Sequence, residues 1–299
     1  MCKKLLFIVN PRAGRNKSRG PLFDAACVFS EAGYLLDIRN TLASGDATQI
    51  VEHCGADVDL IVCHGGDGTL NETVNGLMHL PPEQRPFLSY LPGGSTNDFA
   101  ASLSISPEPA VAAKSAMRMQ AHTLDVGNFN DRHFVYVASF GAFTSTSYSV
   151  PQDMKNVLGH FAYILGGMSN LDSLHPYHIR LTADGEVFDD ADGYLFGAIS
   201  NSTSIAGMMK LPPEDVSFND GEFELMLVRV PNTAAQLQAL THALLYQDRS
   251  DAQGLIFRHV RHVTAETQED IPWTLDGEFV PGAPQVDISI DHGALRMFL

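Results

Sequence analysis

The sequence predicts an α/β domain built on a parallel sheet, followed by an all-β domain of the antiparallel β-sandwich type. Three observations carry that expectation. From Leu5 to the segment around Asn97, short apolar runs alternate with helix-spaced segments, the pattern of a parallel sheet covered on both faces. From Thr123 onward, strand-like runs are separated by Asp-Gly turn dipeptides, the pattern of antiparallel pairing. A chain of 299 residues that is 44% hydrophobic can bury two cores rather than one.

Leu5–Val9 is a continuous apolar run and reads as the first strand. Pro21–Ala32 has helical spacing, Tyr34–Arg39 is the second strand, and Asp46–Cys54 is the second helix, with Asp46 as its cap. Leu60–Cys63 is the third strand, and a glycine-rich turn leads from it to a helix over Leu70–Met78. Phe87–Leu91 is the fourth strand, and a second glycine-rich turn leads to a helix starting at Asn97. Thr123–Phe129 and His133–Ser139 flank Asn130-Asp131, a hairpin signal. Helices are expected at Asn156–Leu171 and Thr233–Tyr246. Elsewhere Asp184-Gly185, Asp192-Gly193, Asp220-Gly221 and Asp276-Gly277 separate strands, as in a sandwich or a barrel. The domain boundary is expected near residue 122, giving domains 1–122 and 123–284. The final run Gln285–Leu299 can belong to either.

Nineteen basic residues against 35 acidic ones give a net charge of −16. Such a surface repels polyanions, which excludes nucleic acid as a partner and opposes adhesion to anionic lipid. Cys2, Cys27, Cys54 and Cys63 have no zinc-type spacing and are too few for a disulfide scaffold, so a reducing cytoplasm is expected. The apolar run after Lys3-Lys4 ends at Asn10-Pro11, too soon for a secretory leader. No stretch reaches the roughly 18 apolar residues of a membrane span, so membrane contact is expected to be peripheral and transient.

Four segments can carry chemistry. Gly65-Gly66-Asp67-Gly68-Thr69 follows the third strand, where glycines let backbone N–H groups approach a phosphate and Asp67 adds a carboxylate. The same pattern fits a tight strand-to-helix turn. Pro92-Gly93-Gly94-Ser95-Thr96-Asn97-Asp98-Phe99-Ala100 repeats the logic after the fourth strand, although one of its polar residues can simply cap a helix. Asn10-Pro11-Arg12-Ala13-Gly14 follows the first strand. Trp273-Thr274-Leu275-Asp276-Gly277-Glu278 taken alone is a hairpin, since Asp-Gly recurs along the chain. There is no P-loop signature and no dinucleotide fingerprint after strand one. His259 and His262, three apart in a strand-like run, face opposite sides, and Cys63-His64 lacks further ligands.

Together these segments resemble the diacylglycerol kinase catalytic-domain family, bacterial lipid kinases related to sphingosine and ceramide kinases. Asn10-Pro11-x-Ala13-Gly14 is similar to its N-P-x-A-G opening. Gly65-Gly66-Asp67-Gly68-Thr69-Leu70-Asn71-Glu72 with Val74-Asn75-Gly76-Leu77 is similar to G-G-D-G-T-[IL]-N-E-V-x-N-G-L. Pro92-x-Gly94-Ser95-x-Asn97-Asp98-Phe99-Ala100 is similar to P-x-G-T-x-N-D-F-A, and Leu275-Asp276-Gly277-Glu278 to L-D-G-E. The resemblance implies an N-terminal nucleotide domain, a C-terminal β domain, and ATP as phosphate donor. Nucleotide contacts would come from Asn10, Thr41, Gly65, Gly66, Asp67, Gly68, Thr69, Leu70, Asn71, Gly94, Ser95, Asn97 and Asp98. It implies Glu278 as proton acceptor, with Asp67 and Asp276 arranging Mg²⁺ and the attacking hydroxyl. Asn219-Asp220-Gly221 resembles the family turn that holds a structural Mg²⁺, here at Ser217, Asp220 and Glu222; a simple turn is the plainer reading of Asp220. The substrate implied is a lipid alcohol, diacylglycerol or a relative, reached at a membrane surface. Lys155 and the apolar Val157–Met168 stretch are candidates for a membrane-facing lip. A homodimer is left open. The chain departs from the family at His64, where a third glycine is common, and at Ser95, Ala101 and Arg15. The alternatives are an NAD kinase-like or other small-molecule kinase, and a nucleotide-binding regulator without catalysis.

Overall fold

The computed structural model describes residues 2–13, 20–95, 97–118, 120–141, 175–205, 209–210, 216–246 and 254–299. The expected helix 156–171, Lys155 with the stretch 157–168, and Gly14, Arg15 and Thr96 lie outside them. The chain divides into two compact units. Unit 1 is Met1–Val126, Arg132–Val135 and Asp291–Leu299; unit 2 is Gly127–Asp131 and Tyr136–Ile290.

Unit 1 alternates strands and helices: β1 Lys3–Val9, α1 Gly20–Glu31, β2 Tyr34–Asn40, α2 Asp46–Cys54, β3 Leu60–Gly65, α3 Asp67–His79, β4 Phe87–Pro92, α4 Asp98–Ser102 and α5 Pro109–Ala116. β5 Ala121–Phe129 then leads towards unit 2, and β6 Arg132–Phe134 follows it. β1 pairs in parallel with β2 and β3, and β3 with β4, as the continuous apolar runs require. Leu5, Phe7, Leu60, Val62 and Leu91 lie inside with Phe29 of α1, whose ring meets Phe7 edge-on at 6.2 Å. Each such side chain contributes about 1.5–3 kcal/mol by leaving water. α2 and α3 pack closely at Gly76, where a Cβ would lie 2.7 Å from the Thr48 carbonyl oxygen and 2.7 Å from Val51 Cβ.

Several local expectations change: the run His133–Ser139 is broken between Phe134 and Val137, and the helix expected from Asn97 begins at Asp98, with Asn97 left-handed as its N-cap. α3 begins at Asp67 rather than Leu70, so Asp67-Gly68-Thr69 is the first helical turn and Gly66, extended, is its N-cap. Asp46 does not cap α2: the N-cap is Gly45 with φ +85°, and the Asp46 carboxylate accepts the N–H groups of Leu42 and Ala43 at 2.7 and 2.9 Å.

Unit 2 is antiparallel, as the Asp-Gly punctuation predicts. Its strands are β7 Val137–Gly141, β8 Arg180–Ala183, β9 Glu186–Phe188, β10 Tyr194–Ser200, β11 Ser204–Ile205, β12 Met209–Lys210 and β13 Phe223–Arg229. After helix α6 Ala234–Tyr246 come β14 Leu255–Val260, β15 His262–Glu266, β16 Trp273–Leu275 and β17 Glu278–Val280. One sheet runs β14-β13-β10-β7-β16-β17, and β15 pairs with β8, which pairs with β9. Trp273 anchors the core against Phe129 at 5.1 Å and Phe140 at 4.9 Å. The last strand, β18 Gln285–Phe298, begins in unit 2 and ends in unit 1, where Met297 aligns in parallel with Leu88.

Candidate active site

In unit 1 the loops after β1, β3 and β4 are tied to one another by backbone and amide bonds. Asn10 N–H donates to the His64 carbonyl at 2.8 Å, and the Asn10 side-chain amide donates to Thr69 Oγ1 at 2.9 Å. Gly93 N–H donates to the Gly65 carbonyl at 2.7 Å, and the buried Tyr90 hydroxyl donates to the same oxygen at 3.0 Å. A Cβ on Gly94 would stand 2.6 Å from Gly66 Cα, so the two glycine loops touch through their backbones. Asn97, left-handed at φ +54°, closes the second loop: its Oδ1 accepts Gly94 N–H at 2.8 Å and its amide donates to the Gly94 carbonyl at 3.0 Å. Asp98 N–H donates to Asp67 Oδ2 at 3.1 Å. Eight of the candidate residues, Asn10, Gly65, Gly66, Asp67, Thr69, Gly94, Asn97 and Asp98, are thereby brought together beside the start of α3. The first N–H groups of a helix have no partner within it and favour an anion.

Electrostatically the locality is acidic and partly dry. Burial pushes the Asp98 carboxyl above the ordinary carboxylate range. Burial holds His64 below the ordinary imidazole value, partly offset by its bond to the Leu91 carbonyl at 3.0 Å. A carbonyl only accepts, so Nδ1 carries the hydrogen of this bond, while burial disfavours the charged ring. His64 occupies the space beside Gly93, where a Cβ would come within 2.4 Å of the ring. The imidazole at this departure from the family pattern is therefore a packing partner of the second loop.

Other candidates are placed differently. Leu70 is buried in the core. Asn71 donates to the His133 carbonyl at 3.0 Å, and Asn75 donates to that oxygen and accepts His133 N–H, both at 3.0 Å, so the two asparagines of N-E-x-x-N clasp a backbone segment. Thr41, buried after β2, donates its N–H to the Val9 carbonyl at 2.9 Å. Ser95 is exposed.

Unit 2 holds the remaining set. Asp276 and Gly277, at φ +50° and +85°, form the left-handed turn between β16 and β17. Asp276 is 3% exposed, and its Oδ1 accepts the N–H groups of Tyr136 at 2.9 Å and Val137 at 3.0 Å. Glu278, just past the turn, is exposed. Asp220 is exposed, and its Oδ1 accepts Glu222 N–H at 3.0 Å. The Glu222 carboxylate pairs with Arg261 at 3.0 Å. Hard oxygen donors of this kind suit Mg²⁺. No group of three or more His, Cys, Asp or Glu side chains arranged for a metal occurs among the described residues.

Sequence reasoning missed Glu224. It lies opposite Ser200 on paired strands, so both side chains share one face of the sheet, and both are buried. Among the described residues, Glu224 Oε2 and Ser200 Oγ lack hydrogen-bond partners. Burial pushes the Glu224 carboxyl up to about 8; the backbone N–H groups of Glu224 and Ser202 partly offset this, and Asp220 and Glu222 add to it. A single acidic residue inside the otherwise continuous apolar run Phe223–Val228 was the available signal.

Comparison with known proteins gives this arrangement a family. Residues 4–129 match the diacylglycerol kinase catalytic domain, and residues 138–299 match the YegS C-terminal NAD kinase beta sandwich-like domain. A diacylglycerol kinase of Bacillus subtilis (strain 168) is 36% identical over 93% of this chain and 90% of its own. A diacylglycerol kinase of Staphylococcus aureus (strain bovine RF122 / ET3-1) is 31% identical over 93% and 87%. The crystal structure of a diacylglycerol kinase from Bacillus anthracis str. Sterne superposes with a TM-score of 0.75 at 26% identity, covering 99% of this chain and 96% of that one. No described helix is long and apolar enough to cross a membrane. The glycine loops, the left-handed Asp-Gly turn before Glu278 and the two domain matches agree, and the chain belongs to the diacylglycerol kinase family of lipid kinases.

Proposed function

We propose that this chain transfers the γ-phosphate of ATP to the hydroxyl of diacylglycerol or a closely related lipid alcohol. The observation that carries the reading is the backbone contact of the two glycine loops beside the start of α3, with Asn10 and Asp67 tied into it. In this reading residues 1–122 bind the nucleotide and residues 123–284 bind the lipid. The backbone N–H groups of Gly66–Thr69 and of the second loop hold phosphate oxygens, and the dipole of α3 favours their charge. The acceptor hydroxyl oxygen attacks the γ-phosphorus, the bond to the β,γ-bridging oxygen breaks, ADP leaves, and the hydroxyl proton passes to the Glu278 carboxylate. Mg²⁺, when bound, would supply charge neutralisation on the phosphates; Asp67 and Asp276 are the carboxylates that would help to hold it, and Asp220 would hold a structural ion. Phosphoryl transfer passes through a loose, highly anionic transition state, so positioning and electrostatics make up most of the catalysis.

The enzyme is expected to work from the cytoplasm, touching the membrane transiently, because a net charge of −16 opposes lasting adsorption to anionic headgroups. The NAD kinase-like alternative draws on the name of the C-terminal match, whereas the Asn97-Asp98-Phe99 block favours the lipid reading. Incubating the purified chain with γ-labelled ATP, Mg²⁺ and either diacylglycerol in mixed micelles or NAD⁺ separates the two. Label in phosphatidic acid supports the proposal. Label only in a water-soluble product would overturn the lipid assignment.

A further inference from the structure

α2 starts without a side-chain cap of its own, since its N-cap is Gly45 and Asp46 turns back onto Leu42 and Ala43. The N–H groups at that start are met instead from another helix. The Glu72 carboxylate, in the second turn of α3, accepts Gly45 N–H at 2.7 Å and Ala47 N–H at 3.2 Å, and also the Ser44 hydroxyl at 3.2 Å. Thr48 Oγ1 donates to the Glu72 carbonyl at 2.8 Å. A carboxylate at a helix N-terminus is favoured by the unpaired N–H groups and the dipole. The loop so held begins at Thr41, whose N–H is bound to the Val9 carbonyl, one residue before Asn10. Its far end is fixed to the helix whose first residue is Asp67. Residues 41–47 are thus tied at both ends to elements that form the glycine-loop cluster.

We propose that Glu72 is a positioning residue for the nucleotide: by capping α2 from α3, it sets the 41–47 loop, with Thr41 at its start, in register with the phosphate-facing loops. The inference rests on the ATP reading above. It differs from a purely structural cap in what it moves. A structural cap alters the melting temperature; a positioning residue alters affinity for ATP selectively.

The test is E72Q in the full chain. Glutamine keeps one acceptor oxygen and turns an NH₂ towards an N–H that needs an acceptor, so one charge-assisted bond is lost. From the worth of such a bond, the KM for ATP rises by about tenfold or more. The kcat and the KM for micellar diacylglycerol stay close to wild type. A lowered melting temperature with an unchanged KM for ATP overturns the inference, as does a fall in kcat alone. Should E72Q fold poorly, Gly45→Ala perturbs the same contact from the other side. Its Cβ meets open space, but φ +85° strains any side chain. The same rise in KM is expected, and its absence again overturns the inference. ATP-induced thermal shifts of wild type and variant read binding without turnover. A wild type that binds ATP but phosphorylates no lipid sinks the lipid-kinase assignment while leaving Glu72 testable; one that neither binds nor turns over ATP overturns both.

Discussion

Asp98 N–H donates to the Asp67 carboxylate at 3.1 Å, so the first residue of α4 is tied to the first residue of α3. The carboxylate proposed to organise the reaction therefore also holds the second glycine loop against the first. Structure and chemistry at Asp67 can be separated because asparagine keeps an acceptor oxygen and removes the charge.

Asp67→Asn is expected to retain the melting temperature within a few degrees while activity falls by at least about a hundredfold. Asp67→Ala also loses the acceptor for Asp98 N–H, which costs about 1 kcal/mol more and lowers Tm by roughly 2–4 °C. Calorimetry and the phosphatidic acid assay read the two effects. Turnover of Asp67→Asn within tenfold of wild type would leave Asp67 as a link between loops only.

Gly76→Ala tests the packing of α2 on α3. Helix propensity alone favours alanine by roughly 1 kcal/mol. The added Cβ would sit 2.7 Å from the Thr48 carbonyl oxygen and from Val51 Cβ, and neither a backbone oxygen nor a branched side chain can yield easily. Overpacking typically costs about 1–3 kcal/mol, so net destabilisation is expected in urea unfolding. A more stable variant would show that the helices separate freely.

Much of this fold could be read from periodicity. Three of the four parallel strands of unit 1, β1, β3 and β4, are near-continuous apolar runs, whereas β2 mixes Leu and Ile with Asp37 and Arg39, and the turns at Asn130-Asp131 and Asp276-Gly277 take the positive φ that their residue types tolerate. Helix α5 was missed although Pro109 stands at its N-terminus ahead of an alanine-rich run. Motif reading found the residues of the glycine loops but not their division of labour. Asn71, Asn75 and Gly76 serve packing and backbone clasping, and Glu72 caps a helix remote in sequence. Such roles depend on which element arrives opposite, and a single sequence carries no pairwise information. Glu224 was only half legible for the same reason: its place inside an apolar run marks a buried strand, but not that Ser200 stands opposite it on the neighbouring strand.

Glu224 gives unit 2 a pH-dependent stability. Its carboxyl is raised to about 8, chiefly by burial, so the folded chain holds a proton that the unfolded chain releases near the ordinary value of about 4.3. The stability supplied by the acid form is therefore complete below about pH 4.3 and is lost as pH rises through about 8. Between those values the folded state binds the extra proton, so this residue makes stability fall with rising pH. Glu224→Gln removes the titration and keeps a polar group opposite Ser200. The difference in Tm between variant and wild type should grow in favour of the variant from pH 5 to about pH 8.5. Parallel curves would show that Glu224 is ionised throughout and that its second oxygen is satisfied by solvent.

The last prediction concerns the proton acceptor. Glu278 follows a turn whose preceding residue, Asp276, is buried and anchored by the N–H groups of Tyr136 and Val137, so its backbone is held firmly while its side chain stays exposed. An exposed carboxylate contributes little to folding, and Glu278→Gln should leave the melting temperature unchanged. If Glu278 accepts the hydroxyl proton, the amide retains its shape but cannot take the proton, and kcat falls by about 10²–10⁴-fold. The KM for ATP should hold within about twofold, because in the proposed function the glycine loops of unit 1, not Glu278, hold the nucleotide. Steady-state kinetics with ATP and micellar diacylglycerol varied in turn give both constants. If kcat survives within tenfold while ATP binding collapses, Glu278 is a nucleotide or metal contact, and Asp67 becomes the residue to test as the base.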